Sequence, residues 1–204
     1  MRSDRGPRQC PPVILASASP RRRELLRALG IEHDAIATEI DELTEAAGDP
    51  AALVLENARR KAAAGLAARP GGAPLWVIAA DTEVALDGRV FGKAADREAA
   101  RDNLRALAGR THQVLSGLVV CAPDGERREG VEQTELHFRE FADHELERYL
   151  DSGEWRDRAG SFAVQGLGSM FIDRIDGDLA TVIGLPIGLL MRFAPQLFGL
   201  SSVS

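Results

Sequence analysis

The chain has 204 residues, 45% of them hydrophobic and 27% charged, and a formal net charge of −6. These values are typical of a globular protein with a full hydrophobic core, built as one domain or as two small lobes. The negative charge argues against stable nucleic-acid binding and against an anionic membrane as a partner. No apolar stretch has transmembrane length, and the two cysteines, Cys10 and Cys121, have neither disulfide-framework nor metal-ligand spacing.

The first twelve residues differ in composition from the rest. They contain three arginines, three prolines and a glycine, and they lack the apolar core of a signal peptide. We therefore predict a disordered arm over residues 1–12, a single domain over residues 13–204, and a cytoplasmic location.

Strands and helices alternate along this domain. The apolar runs Val13–Ala16 and Leu75–Ala80 predict buried strands. Asp49-Pro50 predicts the start of a long helix that ends near Ala68. Asp87-Gly88 predicts a hairpin turn between short strands.

The other predicted elements complete the same alternation. They are a helix at 20–29, a weak strand at 32–38, a helix capped by Asp96 and ending at Gly109, long strands at 112–122 and 128–138, a helix at 142–151, a strand at 170–175 and a helix at 184–193. The alternation indicates an α/β protein, and the long hairpin in its middle makes the sheet mixed.

The first predicted helix has an unusual charge pattern. Ser19 and Pro20 are suited to its N-terminus, but Arg21, Arg22 and Arg23 then fill the first turn, where acidic residues are favoured. Free backbone N–H groups, serine hydroxyls and arginine side chains together suit a polyphosphate. The alternative is an exposed basic turn on an ordinary amphipathic helix.

Asp81 directly follows the predicted strand Leu75–Ala80. Ligands of α/β sheets commonly bind beyond the carboxyl ends of the strands. Asp81 could hold a metal ion, act as a general base, or simply cap a turn, and Thr82 could be a capping hydroxyl or a ligand contact. Lys93 follows Gly92, and its ammonium group could bind a phosphate or simply be solvated. Gln165 lies in a glycine-flanked loop, where its amide could read a nucleobase or satisfy a turn.

Several motifs in combination resemble the Maf family across nearly the whole chain after Val13. They are ILASASPRRRELLRALGI at 14–31, IDE at 40–42, ENARRKA at 56–62, AADTEV at 79–84, GK at 92–93, LAGRTHQVLSG at 107–117, AGSFAVQGLG at 159–168 and VIGLPIGLL at 182–190.

The resemblance implies an inosine-triphosphatase-like fold, with an elongated mixed β-sheet, flanking helices and two lobes around a cleft. It also implies a nucleoside triphosphate pyrophosphatase that cuts between the α- and β-phosphates, uses a divalent cation (Mg²⁺ or Mn²⁺), and often forms a homodimer. Maf proteins are further linked to septum formation and cell-division arrest.

Carried over to this chain, the resemblance implies a polar cleft. Its lining would comprise Ser19, Arg22, Glu42, Lys61, Asp81, Lys93 and Gln165, with Asp81 as proton acceptor and with Glu42 and Asp81 as metal ligands. The sequence does not decide between the roles of base and ligand for Asp81. Arg21, Thr82 and Gln165 match the branch that acts on dTTP and UTP. Ala94 departs from the family's usual proline, so we expect a looser loop around Lys93.

Other functions remain open from the sequence. Within the enzyme class the alternative is a preference for 7-methyl-GTP or a broad preference. A nucleotide-binding regulator of septum formation is a second class, and a nucleic-acid-binding regulator, which the net charge disfavours, is a third. If Arg22 binds an anion, its replacement by alanine is expected to leave the stability of the ligand-free protein unchanged or slightly higher.

Overall fold

The computed structural model describes residues 11–38, 40–44, 49–68 and 74–200. The predicted N-terminal arm, apart from Pro11 and Pro12, lies outside the described residues. The strands are β1 Val13–Ala16, β2 Asp34–Ile36, β3 Trp76–Leu86, β4 Arg89–Phe91, β5 Thr111–Cys121, β6 Arg127–Phe138 and β7 Ile172–Asp176. The α-helices are α1 Pro20–Ala28, α2 Pro50–Ala67, α3 Arg97–Leu107, α4 Asp143–Ser152, α5 Leu179–Ile183 and α6 Ile187–Phe193, with 3-10 helices at Leu167–Phe171 and Pro195–Phe198.

The strands form one mixed sheet of seven strands. Six of them follow the order β2-β1-β3-β5-β6-β7, and β4 pairs with β3. β1 is parallel to β2 and β3, whereas the remaining pairs are antiparallel. This confirms the predicted α/β class with a mixed sheet.

Two hydrophobic cores share the long strands β3 and β5. At one end, Ile78 and Leu118 pack with residues of α1 and α6. At the other end, Val84 and Val114 pack with residues of α3 and α4. Because each strand has 11 residues, it passes from one core to the other. Residues at the middle of β3 therefore lie between the two cores.

Helix α2 packs closely on the sheet at two glycines. A Cβ atom at Gly65 would lie 2.8 Å from the Cβ atom of Ala16 in β1. A Cβ atom at Gly117 in β5 would collide with the backbone oxygen of Val54. Since real Cβ atoms do not approach so closely, both positions require glycine. They hold α2 directly over the middle of β3.

Local signals placed most elements correctly. Asp49 accepts hydrogen bonds from two backbone N–H groups at the start of α2. Asp87 and Gly88 have φ angles of 51° and 76°, as the predicted hairpin turn requires. Asp96 caps α3, and the two long strands agree with the prediction to within one residue.

Two sequence predictions are wrong. The strand at Leu75–Ala80 does not end before Asp81, since β3 continues to Leu86. Its pairing with β5 runs without interruption from Val77 to Ala85, so Asp81 is a mid-strand residue. The predicted last helix, 184–193, is shorter in the structure, since α6 spans Ile187–Phe193. A short helix that was not predicted, α5, precedes it and ends at Gly184, whose φ is 123°. Within the described residues, no helix is long and apolar enough to cross a membrane.

Candidate active site

A polar cleft of about 460 Å³ opens at the middle of β3. This volume falls in the range of small-molecule sites. Every residue that the sequence analysis assigned to a site lines this cleft: Ser19, Arg21, Arg22, Glu42, Lys61, Asp81, Thr82, Lys93 and Gln165. The fold thus brings together residues that are up to about 146 positions apart in the sequence (Ser19 to Gln165).

A buried ion-pair network surrounds Asp81. Lys61 Nζ lies 2.6 Å from Asp81 Oδ1 and 2.6 Å from Glu42 Oε1. Asn57 Nδ2 donates to Asp81 Oδ2 at 3.1 Å and to the Leu43 carbonyl at 3.0 Å. The side chains of Lys61 and Asp81 are 7% and 6% exposed, whereas that of Glu42 is 38% exposed. One lysine therefore holds a buried carboxylate and a more exposed one together.

The helical repeat explains this arrangement. Asn57 and Lys61 are four residues apart in α2, so their side chains lie on the same face. That face is turned to the sheet because α2 packs closely at Gly65 and Gly117. Asn57 Oδ1 also accepts from the Leu43 N–H at 2.8 Å, which holds the loop carrying Glu42. The helix thus positions both carboxylates.

Arg22 is buried and makes three hydrogen bonds within the protein. Its Nε donates to the Gly184 carbonyl at 2.7 Å, and its two terminal nitrogens donate to Ser17 Oγ and Thr82 Oγ1, each at 3.1 Å. Burial lowers the pKa of its guanidinium, although Asp81 and Glu42 favour the charged form. Arg22 therefore joins α1, β3 and the end of α5 even without an anion.

The first turn of α1 keeps other donors free for a ligand. Ser19 occupies the N-cap position, but its side chain makes no capping hydrogen bond, and no acidic residue lies in the first turn. Arg21 donates to the Asp157 carbonyl at 3.0 Å. Burial lowers the pKa of Arg21, and repulsion from Arg158 and Arg22 lowers it further. Such a concentration of positive charge suits a polyphosphate.

Thr82 faces away from Asp81, since successive side chains alternate along a strand. Its Oγ1 lies 2.6 Å from Ser116 Oγ, and Ser116 Oγ donates to the Thr181 carbonyl at 3.0 Å. Thr82 and Arg22 are therefore held rigidly on the wall of the cleft that faces α5.

Gln165 is exposed at the rim of the cleft in a loop fixed by Glu154. The Glu154 carboxylate accepts from the Leu167 and Gly168 N–H groups at 3.1 and 3.3 Å. Gly166 has a φ of 105°, a conformation that other residues rarely adopt. The glycine-flanked loop is thus anchored next to Gln165, which lines the cleft.

Two further charged residues, Glu83 and Lys93, line the cleft together with Asp81. Burial raises the pKa of Glu83 to about 8, and repulsion from Asp81 and Glu42 adds to this effect. Lys93, which is exposed, favours the ionised form of Glu83. The loop of Lys93 contacts the glycine-rich loop through a backbone bridge to Ala159. Ala94 packs against the core formed with α3 and α4.

The acidic residues of the cleft fit a divalent cation. Mg²⁺ prefers oxygen ligands, which Glu42 and Asp81 provide. Glu83 adds a buried carboxylate oxygen, Oε2, that has no hydrogen-bond partner among the described residues. Among the described residues, one group of three acidic or histidine side chains has its ligand atoms within 4.8 Å of one another, and it lies outside the cleft lining: Glu135, His137 and Asp176. There His137 and Arg174 bind the Asp176 carboxylate, as Lys61 binds Asp81 and Glu42 in the cleft.

Sequence reasoning missed several residues of the cleft. Four lining residues were not assigned a role: Glu83, Arg156, Asp157 and Arg158. Asn57 and Ser116, which hydrogen-bond to Asp81 and Thr82, were not assigned one either. The helical spacing of Asn57 and Lys61 was a usable signal. No local sequence pattern indicated that residues 156–158 line the cleft, because their place depends on the packing of one loop on another.

Comparison with known proteins identifies the family of the chain. A family model described as "Maf-like protein" matches residues 12–197. A protein of Desulforamulus reducens named dTTP/UTP pyrophosphatase is 44% identical over 193 residues, covering 94% of this chain and 99% of its own length. A protein of Deinococcus radiodurans with the same name is 43% identical, covering 89% of this chain and 91% of its own length.

Two solved structures are similar in part of the fold. The dITP/XTP pyrophosphatase of Mycobacterium abscessus matches 62% of this chain and 72% of its own with a TM-score of 0.39 and 19% identity. The Ham1 protein of Staphylococcus aureus matches 62% of this chain and 71% of its own with a TM-score of 0.43 and 16% identity. Both scores are low, so the assignment depends on the sequence comparisons. On those, the chain belongs to the Maf family.

Proposed function

We propose that the protein hydrolyses dTTP and UTP to the nucleoside monophosphate and pyrophosphate. The observation that carries this proposal is that Arg21, Thr82 and Gln165, the three residues typical of the dTTP/UTP branch, line the same cleft as Asp81. The curated relatives at 38–44% identity carry the name dTTP/UTP pyrophosphatase. The glutamine amide offers both a donor and an acceptor, as the edge of uracil or thymine requires.

The triphosphate would lie along the first turn of α1. Ser19 and Arg21 line the cleft at this turn, and Arg158, which also lines it, repels Arg21. An anion between the two arginines would remove that repulsion. Arg22 would add positive charge from behind, through a guanidinium already held by Gly184, Ser17 and Thr82.

The chemical step would take place beside Asp81. A water oxygen attacks the α-phosphorus, the bond from this phosphorus to the α,β-bridging oxygen breaks, and pyrophosphate leaves with the bond electrons. Asp81 accepts the proton of the water, since each of its oxygens retains a lone pair beyond the bonds to Lys61 and Asn57. Lys61 and Lys93 would stabilise the negative charge on the leaving group.

A divalent cation, Mg²⁺ or Mn²⁺, would be held by Glu42 and Asp81. When bound, it would supply electrostatic stabilisation of the phosphate oxygens and orient the attacking water. Lys61 is so placed that it keeps both carboxylates together before the cation arrives.

The test is an activity panel with the purified protein and Mg²⁺ or Mn²⁺. We expect pyrophosphate, not orthophosphate, from dTTP and UTP, with a higher kcat/KM than for ATP, GTP or 7-methyl-GTP. Asp81→Asn should lower kcat at least ~10²-fold, the loss expected when general base catalysis is removed, with the fold intact. A higher kcat/KM for 7-methyl-GTP than for dTTP, or release of orthophosphate, would refute the proposal.

A further inference from the structure

Asn57 is a buried residue to which the proposed mechanism gives no role. Its side chain belongs to the face of α2 that is turned to the sheet, and the residue is 1% exposed. Asparagine is a poor helix former, and burying an amide is costly unless its hydrogen bonds are made. A leucine or an alanine would suit both the helix and the core better. We therefore expect this amide to have a role other than packing.

The hydrogen bonds of the Asn57 amide fix its orientation. Its Oδ1 accepts from the Leu43 N–H at 2.8 Å, and its Nδ2 donates to the Leu43 carbonyl at 3.0 Å and to Asp81 Oδ2 at 3.1 Å. The opposite orientation would place the amide oxygen against the Asp81 carboxylate and the amide N–H groups against the Leu43 N–H. The surroundings therefore permit one orientation, in which an N–H group is directed at Asp81.

The Asp81 carboxylate consequently has a different donor on each oxygen. Lys61 Nζ donates to Oδ1 at 2.6 Å, and Asn57 Nδ2 donates to Oδ2 at 3.1 Å. The torsion that turns a carboxylate about its Cβ–Cγ bond has broad minima, and an ammonium group, whose three donors rotate, can follow that turn. A second donor on the other oxygen prevents it. The amide thus fixes the plane of the carboxylate, and with it the direction of the lone pair that accepts a proton.

The same amide also holds the loop that carries Glu42. Three successive residues of this loop are each bound by one side chain of α2: Arg60 binds the Asp41 carbonyl, Lys61 the Glu42 carboxylate and Asn57 the Leu43 backbone. Among these three side chains, Lys61 and Asn57 also bind Asp81. The orientation of Asp81 therefore depends on the same amide as the position of the loop.

We infer that Asn57 is a positioning residue of the reaction, which fixes the plane of the Asp81 carboxylate and ties it to the loop bearing Glu42. The inference rests on the proposed function, because it takes from it the role of Asp81 as base. A catalytic base commonly needs a third group that orients it. Asn57 is not among the described residues that line the cleft, so it acts through Asp81 and does not touch the substrate.

The test compares two substitutions in the cleavage of dTTP by the full chain with Mg²⁺. Asn57→Leu removes all the hydrogen bonds of the amide. Asn57→Asp keeps an acceptor for the Leu43 N–H but places a negatively charged oxygen where Asp81 had its donor. We expect Asn57→Leu to lower kcat and kcat/KM by the same factor, at least ~10-fold, since a reacting group misplaced by about 1 Å can cost ~10²-fold. Asn57→Asp should lower kcat further. If the amide served the loop alone, Asn57→Asp would be the more active variant.

Asn103→Leu is the matched control, because Asn103 also lies in a helix, α3, and donates to a side chain outside the described cleft lining, that of Ser161. It should cleave dTTP as the unmodified protein does. Urea denaturation gives the folded fraction by which each kcat is corrected, and Asn57→Ala replaces Asn57→Leu if the latter does not fold. An unchanged kcat in Asn57→Leu, an equal fall in Asn103→Leu, a loss confined to KM, or a higher kcat in Asn57→Asp than in Asn57→Leu would overturn the inference.

A spectroscopic measurement separates the inference from the proposed function. In ligand-free protein labelled with ¹³C at the aspartate carboxyl groups, the Asp81 resonance is the one that Asp81→Asn lacks. It should shift in Asn57→Leu and stay in place in Asn103→Leu; an unmoved resonance in Asn57→Leu would overturn the inference. If dTTP is cleaved and Asn57→Leu keeps its kcat, the inference fails and the function stands. If no nucleotide is cleaved but the resonance shifts, the function fails and the orientation of Asp81 by Asn57 stands.

Discussion

Replacing Lys61 by methionine is expected to destabilise the ligand-free protein much more than replacing Asp81 by asparagine. Methionine preserves most of the apolar stem of Lys61 but removes its ammonium group. Asp81, whose side chain is 6% exposed, then lies beside Glu42 without the positive charge that it pairs with. Removing one partner of a buried ion pair costs about 3–5 kcal/mol. In Asp81→Asn, by contrast, Lys61 keeps Glu42 at 2.6 Å, so we expect a loss of about 1 kcal/mol.

The free energy of unfolding is measured by urea denaturation at neutral pH with a chelator present. Lys93→Met is the matched control, since Lys93 is exposed and forms none of the ion pairs of the described residues; its effect should be within about 0.5 kcal/mol. Added Mn²⁺ should restore part of the stability of Lys61→Met. An equal or larger loss in Asp81→Asn than in Lys61→Met would refute this account of the network.

Three further changes test other parts of the site and core. Arg22→Ala should lower the free energy of unfolding of the ligand-free protein by about 2 kcal/mol, because its three hydrogen bonds are lost and the Gly184 carbonyl loses its donor; unchanged urea denaturation would show that these bonds contribute nothing. Gln165→Glu should lower kcat/KM for dTTP and UTP more than for purine nucleotides, as it removes a donor and adds charge; an unchanged ratio of dTTP to 7-methyl-GTP would mean that Gln165 does not read the base. Burial lowers the pKa of His112 from 6.5 to about 4, so between pH 6.5 and 4 the unfolded chain binds a proton that the folded protein excludes, and stability should fall by about 3 kcal/mol as the pH drops through this window. His112→Leu should remove that part of the pH dependence of unfolding, and an identical pH profile in both proteins would contradict it.

The hydrogen bonds of Arg22 reverse the stability effect that the sequence predicts for its replacement by alanine. Repulsion at a helix N-terminus predicted that removing this arginine would leave the ligand-free protein equally stable or more stable. The sequence offered no sign of Gly184 and Thr82, which are 162 and 60 positions away. Their hydrogen bonds to the guanidinium outweigh the few tenths of a kcal/mol from the helix dipole.

Most of the fold could be predicted because its signals are local. The Asp49-Pro50 start of α2 and the Asp87-Gly88 turn depend on neighbouring residues only. The continuity of β3 through Asp81 depends on pairing with β5, about 36 positions later (Asp81 with Gly117). No local sequence pattern marks a polar residue inside a strand when its hydrogen-bond partners belong to a helix packed over that strand, as Asn57 and Lys61 of α2 do for Asp81.

The candidate site was predicted largely through the family resemblance. All nine assigned residues line one cleft, but Lys61 and Glu42 were assigned to it through the resemblance alone. The network around Lys61 was not visible, because the loop of Glu42 is held by Asn57 through the Leu43 backbone. The homodimer, the cytoplasmic location and the link to septum formation stay predictions.

The strands shared by the two hydrophobic cores have a consequence for motion at the site. Since β3 and β5 contribute to both cores, neither core can open its part of the sheet without straining the other. Amide hydrogens near Asp81 should therefore exchange with solvent only when the whole sheet opens, whereas those of the loops bearing Lys93 and Gln165 should exchange through small local openings. We therefore expect Asp81, the proposed base, to lie in the slowest-opening segment, and Lys93 and Gln165 to lie in segments that open locally.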